Sequence, residues 1–173
     1  MKVISIDPGS KSLGWCHIVD NKVEMVDTLK LPGNTPDTYT LLHYFIRMQL
    51  EGIIVSYKRI IPEYLILESF YTQSFKGTTI IPELRGIIKL AVYQMRNVKL
   101  IEVAPGTVKK FITGSGLAKK EDIAGAILEK YSDNPAITPK LSSDAFDAIA
   151  IGYTGINKIE QGLIEVKNEE VPE

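Results

Sequence analysis

Four carboxylates in the sequence stand at the ends of segments that are suited to burial. Asp7 follows the mostly apolar residues 3–6 and precedes Pro-Gly-Ser, and Glu68 ends the apolar segment YLILE. Asp144 and Asp147 lie three residues apart in SSDAFDAIAIG, so a helix over that segment would carry both on one face. If the strands that end at Asp7 and Glu68 are parallel neighbours, these two carboxylates emerge side by side.

Carboxylates that share one site repel one another. Two unit charges ~4 Å apart cost on the order of 1 kcal/mol in water and several times that near a protein interior. Divalent cations remove this repulsion, and oxygen ligands without nearby Cys or His favour Mg²⁺ or Mn²⁺ over zinc. Two such ions about 3.5–4 Å apart would stabilise both the attacking and the leaving oxygen of a phosphodiester. The four acids therefore predict a metal-dependent phosphodiesterase site.

Each of these acids also has an ordinary structural interpretation. Asp7 before Pro-Gly is typical of a turn residue, and Glu68 of a solvated strand end. Asp144 after two serines is typical of a helix N-terminus. Four such coincidences, in this order and on these elements, are harder to accept than one shared metal site.

A basic segment, PGTVKKFITGSGLAKK at residues 105–120, carries four lysines and no acidic residue: Lys109, Lys110, Lys119 and Lys120. A lysine cluster is most often only a solvated face. Two lysine pairs that flank Gly-Ser-Gly, in a chain whose net charge is -1, are better explained as a surface that follows phosphates. One of them could also stabilise charge that develops on a phosphate.

An aromatic loop is predicted directly after Glu68. It contains Phe70, Tyr71 and Phe75, with Lys76 and polar residues between and beside them. Loop aromatics often fold back into the core, yet this polar spacing predicts that at least one stacks on a base. A serine hydrolase has little support, because Ser10 and Ser12 have no evident His-Asp partner.

The elements that must position these residues follow from the apolar pattern. Strands are predicted at 2–7, 12–19, 23–31, 64–68 and 99–103, and helices from 37 towards Pro62 and at 80–96, 107–113, 118–131 and 142–156. Asp37 or Thr38 is the expected N-cap of the first helix. Three strands in hairpin register, followed by strands that alternate with helices, predict a mixed α/β sheet with helices packed on it.

Composition predicts one soluble globular domain at residues 1–157. The chain has 173 residues, of which 45% are hydrophobic, and a single cysteine, which excludes an internal disulfide. Residues 158–173 hold five Glu against two Lys and are predicted to be a disordered acidic tail. Without an apolar segment of ~18 residues or a signal peptide, the chain is expected to be cytoplasmic and without membrane contact.

Four segments in order carry a family resemblance: ISIDPGSKSLGW, LILESFY, APGTVKKFITGSGLAKKEDI and SSDAFDAIAIG. Together they resemble the RuvC-type Holliday junction resolvases of the RNase H-like (retroviral integrase) superfamily, over residues 1–156. The resemblance implies an RNase H-like fold with a central mixed five-stranded sheet. It makes Asp7, Glu68, Asp144 and Asp147 a catalytic metal-binding tetrad for two Mg²⁺ ions, with Mn²⁺ as a substitute and no small-molecule cofactor.

The resemblance also implies roles outside the tetrad. Lys109 and Lys120 fall where the family has lysines needed for cleavage, and Tyr71 with Phe70 falls in the loop that carries an aromatic at the crossover. A homodimer is implied that nicks four-way DNA symmetrically in recombination and repair, leaving 5′-phosphate and 3′-hydroxyl ends. A two-fold dimer suits a two-fold substrate, and helix 80–96 is expected to contribute to its interface.

Other functions remain open at this point. This chain is slightly acidic, whereas bacterial members of the family are often more basic, and its loop at 71–76 differs from the family pattern. A relaxed branched-DNA nuclease is therefore one alternative. A YqgF-like nuclease for structured RNA is another. Actin-like ATPases and sugar kinases share a strand-Asp-Gly start, but 173 residues leave no room for their second lobe. A junction-binding protein without catalysis would not need all four acids.

Overall fold

The secondary structure comes from a computed structural model that describes residues 1–55, 58–69, 80–95 and 97–163. The strands in these ranges are β1 (Lys2–Pro8), β2 (Ser12–Val19), β3 (Lys22–Lys30), β4 (Ile53–Val55), β5 (Lys58–Ile60), β6 (Tyr64–Glu68) and β7 (Lys99–Val103). The helices are α1 (Pro36–Glu51), α2 (Ile80–Gln94), α3 (Pro105–Thr113), α4 (Lys120–Lys130) and α5 (Ser143–Glu160).

The five-stranded sheet has the order β3-β2-β1-β6-β7. β1, β2 and β3 pair antiparallel, whereas β6 pairs parallel with both β1 and β7. Ile6 of β1 is opposite Leu67 of β6, so Asp7 and Glu68 are the next residues along two neighbouring parallel strands. The structure confirms the predicted mixed sheet and the adjacency on which the carboxylate argument depended.

Both faces of the sheet are covered by helices, which explains the continuous apolar character of its central strands. Side chains alternate between the faces. Ile6 and Leu67 belong to a core formed with α1 and α2, and Val3 and Ile66 belong to a second core formed with α3, α4 and α5. Asp7 and Glu68 continue the alternation of Val3 and Ile66, so both project towards α5.

Helix α5 approaches the sheet closely at positions where one of the two facing residues is a glycine. A Cβ atom added at Gly155 would lie 2.3 Å from Ile66 Cδ1, and one at Gly14 would lie 1.9 Å from the Asp144 carbonyl oxygen. The buried Ser5 hydroxyl of β1 donates a 2.7 Å hydrogen bond to the Ala148 carbonyl. These contacts fix α5 against β1, β2 and β6.

The prediction for the first helix was wrong at both ends. Its N-cap is Thr35, whose hydroxyl accepts from the Thr38 amide, rather than Asp37 or Thr38, because Pro36 suits the first helical position. The helix ends at Glu51, since Gly52 has a φ of 105°. A two-stranded hairpin of β4 and β5 follows, where the helix was predicted to continue towards Pro62.

The C-terminal boundary also differs in detail from the prediction. α5 continues to Glu160, into the first residues of the predicted acidic tail. Residues 164–173 lie outside the described part of the chain, so disorder of the tail stays a prediction. No helix in the described ranges has both the length and the apolar character needed to cross a membrane.

Candidate active site

The carboxyl end of β1 places the first acid of the site. Asp7 is the penultimate residue of this central strand and is opposite Gly14 of β2. Because Gly14 has no side chain, the backbone of Asp144 can approach β2 at this point. A central strand that is paired on both sides holds a ligand more rigidly than a loop could.

The start of α5 supplies two further acids. Ser142 caps the helix by accepting a 3.1 Å hydrogen bond from the Ala145 amide, which leaves the carboxylates of Asp144 and Asp147 on the first turns. The positive end of the helix dipole favours negative charge at these positions. Ser12 of β2 donates a hydrogen bond to Asp144 Oδ2, so the β2 strand orients that carboxylate from outside the helix.

Three of the four predicted ligands are within reach of one ion. One carboxylate oxygen each from Asp7, Asp144 and Asp147 lies within 4.8 Å of the other two. Glu68 is not a member of this group of three, although its charge interacts with those of Asp7 and Asp147. The structure therefore brings all four acids to one edge of the sheet, with Glu68 reaching the cluster from the neighbouring strand.

Burial and mutual repulsion raise the pKa values of the two strand carboxylates. Burial first, and then the negative charges of Asp147 and Glu68, raise the pKa of Asp7 from 3.8 to about 7. Burial and the charge of Asp147 likewise raise the pKa of Glu68 from 4.5 to about 7. A set of hard oxygen donors that resists carrying its own negative charge fits a divalent cation well.

Among the described residues, Lys120, at the first position of α4, forms ion pairs with the two acids at the start of α5. Its Nζ lies 2.8 Å from Asp147 Oδ2 and 3.4 Å from Asp144 Oδ1. Burial works to lower the pKa of Lys120, but the hydrogen bond and charge of Asp147, with the charges of Asp7 and Asp144, raise it above its usual value. The ammonium group is thus held protonated at the edge of the cluster.

The structure divides the other predicted lysines into two sets. Lys109 of α3 is close enough for its charge to lower the pKa of Glu68, as Lys120 also does. Lys110 and Lys119 are exposed, on α3 and directly before α4. The predicted DNA-binding residues Phe70, Tyr71 and Lys76 lie outside the described residues, so their roles stay predictions.

Two residues at the site were missed by the reading of the sequence. Ser12 was considered only as a nucleophile, whereas it hydrogen-bonds Asp144. Arg85 of α2 is buried and donates to the backbone carbonyl of Glu68. The one available signal was a charged residue on the otherwise apolar inner face of α2, formed by Leu84, Ile88 and Ala91.

Comparison with protein families supports one interpretation of this geometry. The family model described as "Crossover junction endodeoxyribonuclease RuvC" matches residues 3–155. Proteins of that name resemble the chain in Fusobacterium nucleatum subsp. nucleatum (34% identity, covering 94% of this chain and 84% of the relative) and Campylobacter curvus (30%, covering 92% and 98%). A third, from Prochlorococcus marinus subsp. pastoris, is 29% identical and covers 91% and 98% of the two chains.

Comparison with solved structures supports the fold. The Thermus thermophilus RuvC structure matches with a TM-score of 0.73 and 20% identity, over 94% of this chain and 97% of that one. T. thermophilus RuvC in complex with Holliday junction substrate matches with a TM-score of 0.69 and 20% identity, over 94% and 96%. The likeness confirms the predicted RNase H-like arrangement of sheet and helices.

Proposed function

Because the chain belongs to the RuvC family of crossover junction endodeoxyribonucleases, we propose that it resolves four-way DNA junctions by hydrolysing phosphodiester bonds. The observation that carries the proposal is the acidic cluster of Asp7, Asp144 and Asp147, with Glu68 and Lys120 beside it. Symmetrical nicks with 5′-phosphate and 3′-hydroxyl ends would leave products that a ligase can seal in recombination and repair. Junction cleavage would take place in the cytoplasm, where bacterial DNA lies.

The ligand set supports two Mg²⁺ ions, which Mn²⁺ could replace. Asp7, Asp144 and Asp147 would hold one ion, and Asp7 with Glu68 would hold the other, because Glu68 approaches from the far side of β1. When bound, such ions supply Lewis-acid stabilisation of the attacking and leaving oxygens of a phosphodiester. The role of the chain is to hold these carboxylates on rigid elements, and a bound cation would favour their deprotonated form.

The lysines would stabilise negative charge on the phosphate that is cleaved. Lys120 carries its charge beside Asp147, and its side chain is 57% exposed, so an approaching phosphate oxygen can reach the ammonium group. Fixed positive charge at that point stabilises the extra negative charge of the transition state. Lys109 would act similarly from the side of Glu68, and Lys110 and Lys119 would contact the DNA backbone on either side.

A homodimer would present two such sites to the two strands. The outer face of α2 carries the exposed apolar side chains Leu90 and Tyr93, 53% and 57% exposed, and Gly86 and Ile87 line an apolar groove beside Leu90. Exposed apolar side chains grouped on one helix face are typical of an association surface. We therefore propose that α2 pairs with α2 of a second copy, which would place the two acidic clusters symmetrically.

One assay tests the proposal. Purified protein is incubated with a labelled four-way DNA junction, a linear duplex of the same sequence and a matched RNA junction, each with Mg²⁺ or EDTA. Paired nicks in the DNA junction alone, and only with Mg²⁺, are expected. Equal cleavage of the duplex would indicate a relaxed nuclease, and cleavage of the RNA junction alone would indicate an RNA-processing enzyme.

The matched variant for this assay is Asp7→Asn. It removes the shared carboxylate and is expected to abolish nicking while junction binding in a gel-shift measurement stays within about threefold. Asp27→Asn, on the exposed edge strand β3, serves as the control and should cut as well as the unchanged protein. Full nicking by the Asp7 variant would contradict the assignment of the site.

A further inference from the structure

Glu68 reaches the acidic cluster from a strand end, so its position depends on where the backbone of β6 ends. Ile66 and Glu68 project towards α5, and Leu67 between them projects towards α1 and α2. Of the four acids, Glu68 is also the one that lies outside the compact group of Asp7, Asp144 and Asp147. A small shift of this strand end would therefore change how well Glu68 shares an ion with Asp7.

The backbone of Glu68 is held from the opposite face of the sheet. Arg85 of α2 donates through Nη1 to the Glu68 carbonyl oxygen and through Nη2 to Glu102 Oε1. Glu102 belongs to β7 and is opposite Leu67, so its side chain is on the α2 face. A single guanidinium group thus joins α2 to the ends of both β6 and β7.

We propose that Arg85 is a positioning residue for the metal site: it fixes the backbone of Glu68 and thereby sets the affinity of the site for its divalent cation. The proposal rests on the metal-binding role given to Glu68 in the proposed function. The two hydrogen bonds of Arg85 described above fix the strand end that carries Glu68, and the charge of Arg85 also lowers the pKa of the Glu68 carboxyl.

The physical cost of burying Arg85 argues for a role beyond packing. Its side chain is only 7% exposed, and a buried guanidinium has a large desolvation penalty that its partners must offset. An apolar side chain, like those of Leu84 and Ile88 on the same face, would pack there without that penalty. What an apolar side chain cannot do is hold two oxygen acceptors on two strands in a fixed planar geometry.

The half-buried Lys89 provides a matched control. Its Nζ lies 2.9 Å from Glu102 Oε2, so it shares the acidic partner of Arg85. Lys89→Met removes a cation from Glu102 and leaves the Arg85 contact with Glu68 in place. If the carbonyl contact is what matters, Lys89→Met leaves metal affinity unchanged and Arg85→Met weakens it.

The test measures metal binding without DNA. Mn²⁺ binding is followed by electron paramagnetic resonance, and Mg²⁺ binding by calorimetry, for the unchanged protein, Arg85→Met, Arg85→Lys and Lys89→Met. Arg85→Met is expected to bind the weaker of the two ions about tenfold less tightly, the usual effect of losing a residue that orients a ligand. Arg85→Lys should fall between, because an ammonium group cannot bond both acceptors in the same plane.

A double variant separates positioning from general stability. Glu68→Gln should itself weaken metal binding, and adding Arg85→Met to it should cause no further loss, because both changes act through the same ligand. Metal affinity that is unchanged in folded Arg85→Met, whatever happens to its melting temperature, would overturn the proposal.

The design remains decisive if Arg85→Met does not fold. Arg85→Lys and Glu102→Gln then carry the test, since each keeps a polar group at its position: weaker metal binding in both supports the proposal, and unchanged binding in both overturns it. Failure of the proposed function would look different. In that case the unchanged protein would bind the ion and respond to Arg85 substitution, yet would leave four-way junctions uncut.

Discussion

The ammonium group of Lys120 lies 2.8 Å from the carboxylate of Asp147. The lysine is the first residue of α4 and the aspartate lies in the first turns of α5, so two helix starts meet at this contact. An ion pair in which the lysine is 57% exposed contributes little to folding stability. Its position at the edge of the acidic cluster instead suits a catalytic charge.

Replacing Lys120 with Met should therefore affect nicking far more than folding. The rate of cleavage at saturating junction should fall by about 10²–10³, the usual effect of losing one group that stabilises transition-state charge. The melting temperature should change little. Lys22→Met, on the exposed turn-proximal end of β3, is the matched control, and an equal loss of cleavage in both variants would refute a specific role for Lys120.

The raised pKa of Asp7 predicts an unusual effect on stability. This carboxyl has a pKa of about 7 in the fold against 3.8 when unfolded. Its protonated form stabilises the fold fully below about pH 3.8, and that contribution is lost as the pH rises through 7. In EDTA near pH 8, Asp7→Asn should consequently be more stable than the unchanged protein, by about 2–4 kcal/mol.

Melting curves in EDTA near pH 5 and pH 8 check this prediction. The advantage of Asp7→Asn should shrink at the lower pH, where the native carboxyl is itself protonated. Mg²⁺ should stabilise the unchanged protein near pH 8 and have much less effect on the variant. A variant that is less stable at both pH values would show that the carboxylate is not under electrostatic strain.

Ser12 should affect metal binding and cleavage by orienting the carboxylate of Asp144. Ser12→Ala removes the hydroxyl that donates to Asp144 Oδ2, so the carboxylate loses one of the groups that orient it. Metal affinity and nicking at limiting Mg²⁺ should fall by about tenfold, with recovery at high Mg²⁺. Ser132→Ala, on the exposed loop after α4, is the control. A loss that high Mg²⁺ does not recover would contradict this role.

The reading of the sequence succeeded where local signals were strong. β6 and β7 begin and end as predicted because each is a short apolar segment with turn or loop residues at its boundaries. The secondary-structure prediction failed at residues 53–60, where the apolar pattern is compatible with a helix face as well as with the alternation of a strand. The glycine at position 52 was the local sequence signal for a helix end, and the structure gives it a positive φ.

The sequence predicted that the four acids lie close together, but it did not predict how they are arranged relative to one another. Asp7, Glu68, Asp144 and Asp147 were predicted as one tetrad, with Glu68 on a separate strand, whereas the structure groups three of them compactly without Glu68. This difference depends on strand register and on how deeply α5 packs, and local sequence patterns predict neither. Contacts between distant segments, such as that of Arg85 with Glu68, are invisible for the same reason.

His17 should make the fold sensitive to acid. It is completely buried on β2, its Nε2 lies 2.8 Å from Gln49 Oε1, and its Nδ1 has no hydrogen-bond partner among the described residues. Burial lowers its pKa from 6.5 to about 4, against a smaller opposing effect of Gln49. The stability that neutral His17 contributes is present above about pH 6.5 and is lost as the pH falls towards 4.

Urea unfolding between about pH 7 and pH 4 tests this sensitivity by comparing slopes. The unchanged protein should lose about 2–3 kcal/mol more stability over this range than His17→Gln, which cannot take up a proton there. Comparison of slopes is needed because Asp7 and Glu68 act in the opposite direction in both proteins. Equal slopes for the unchanged protein and His17→Gln would show that His17 does not titrate with unfolding.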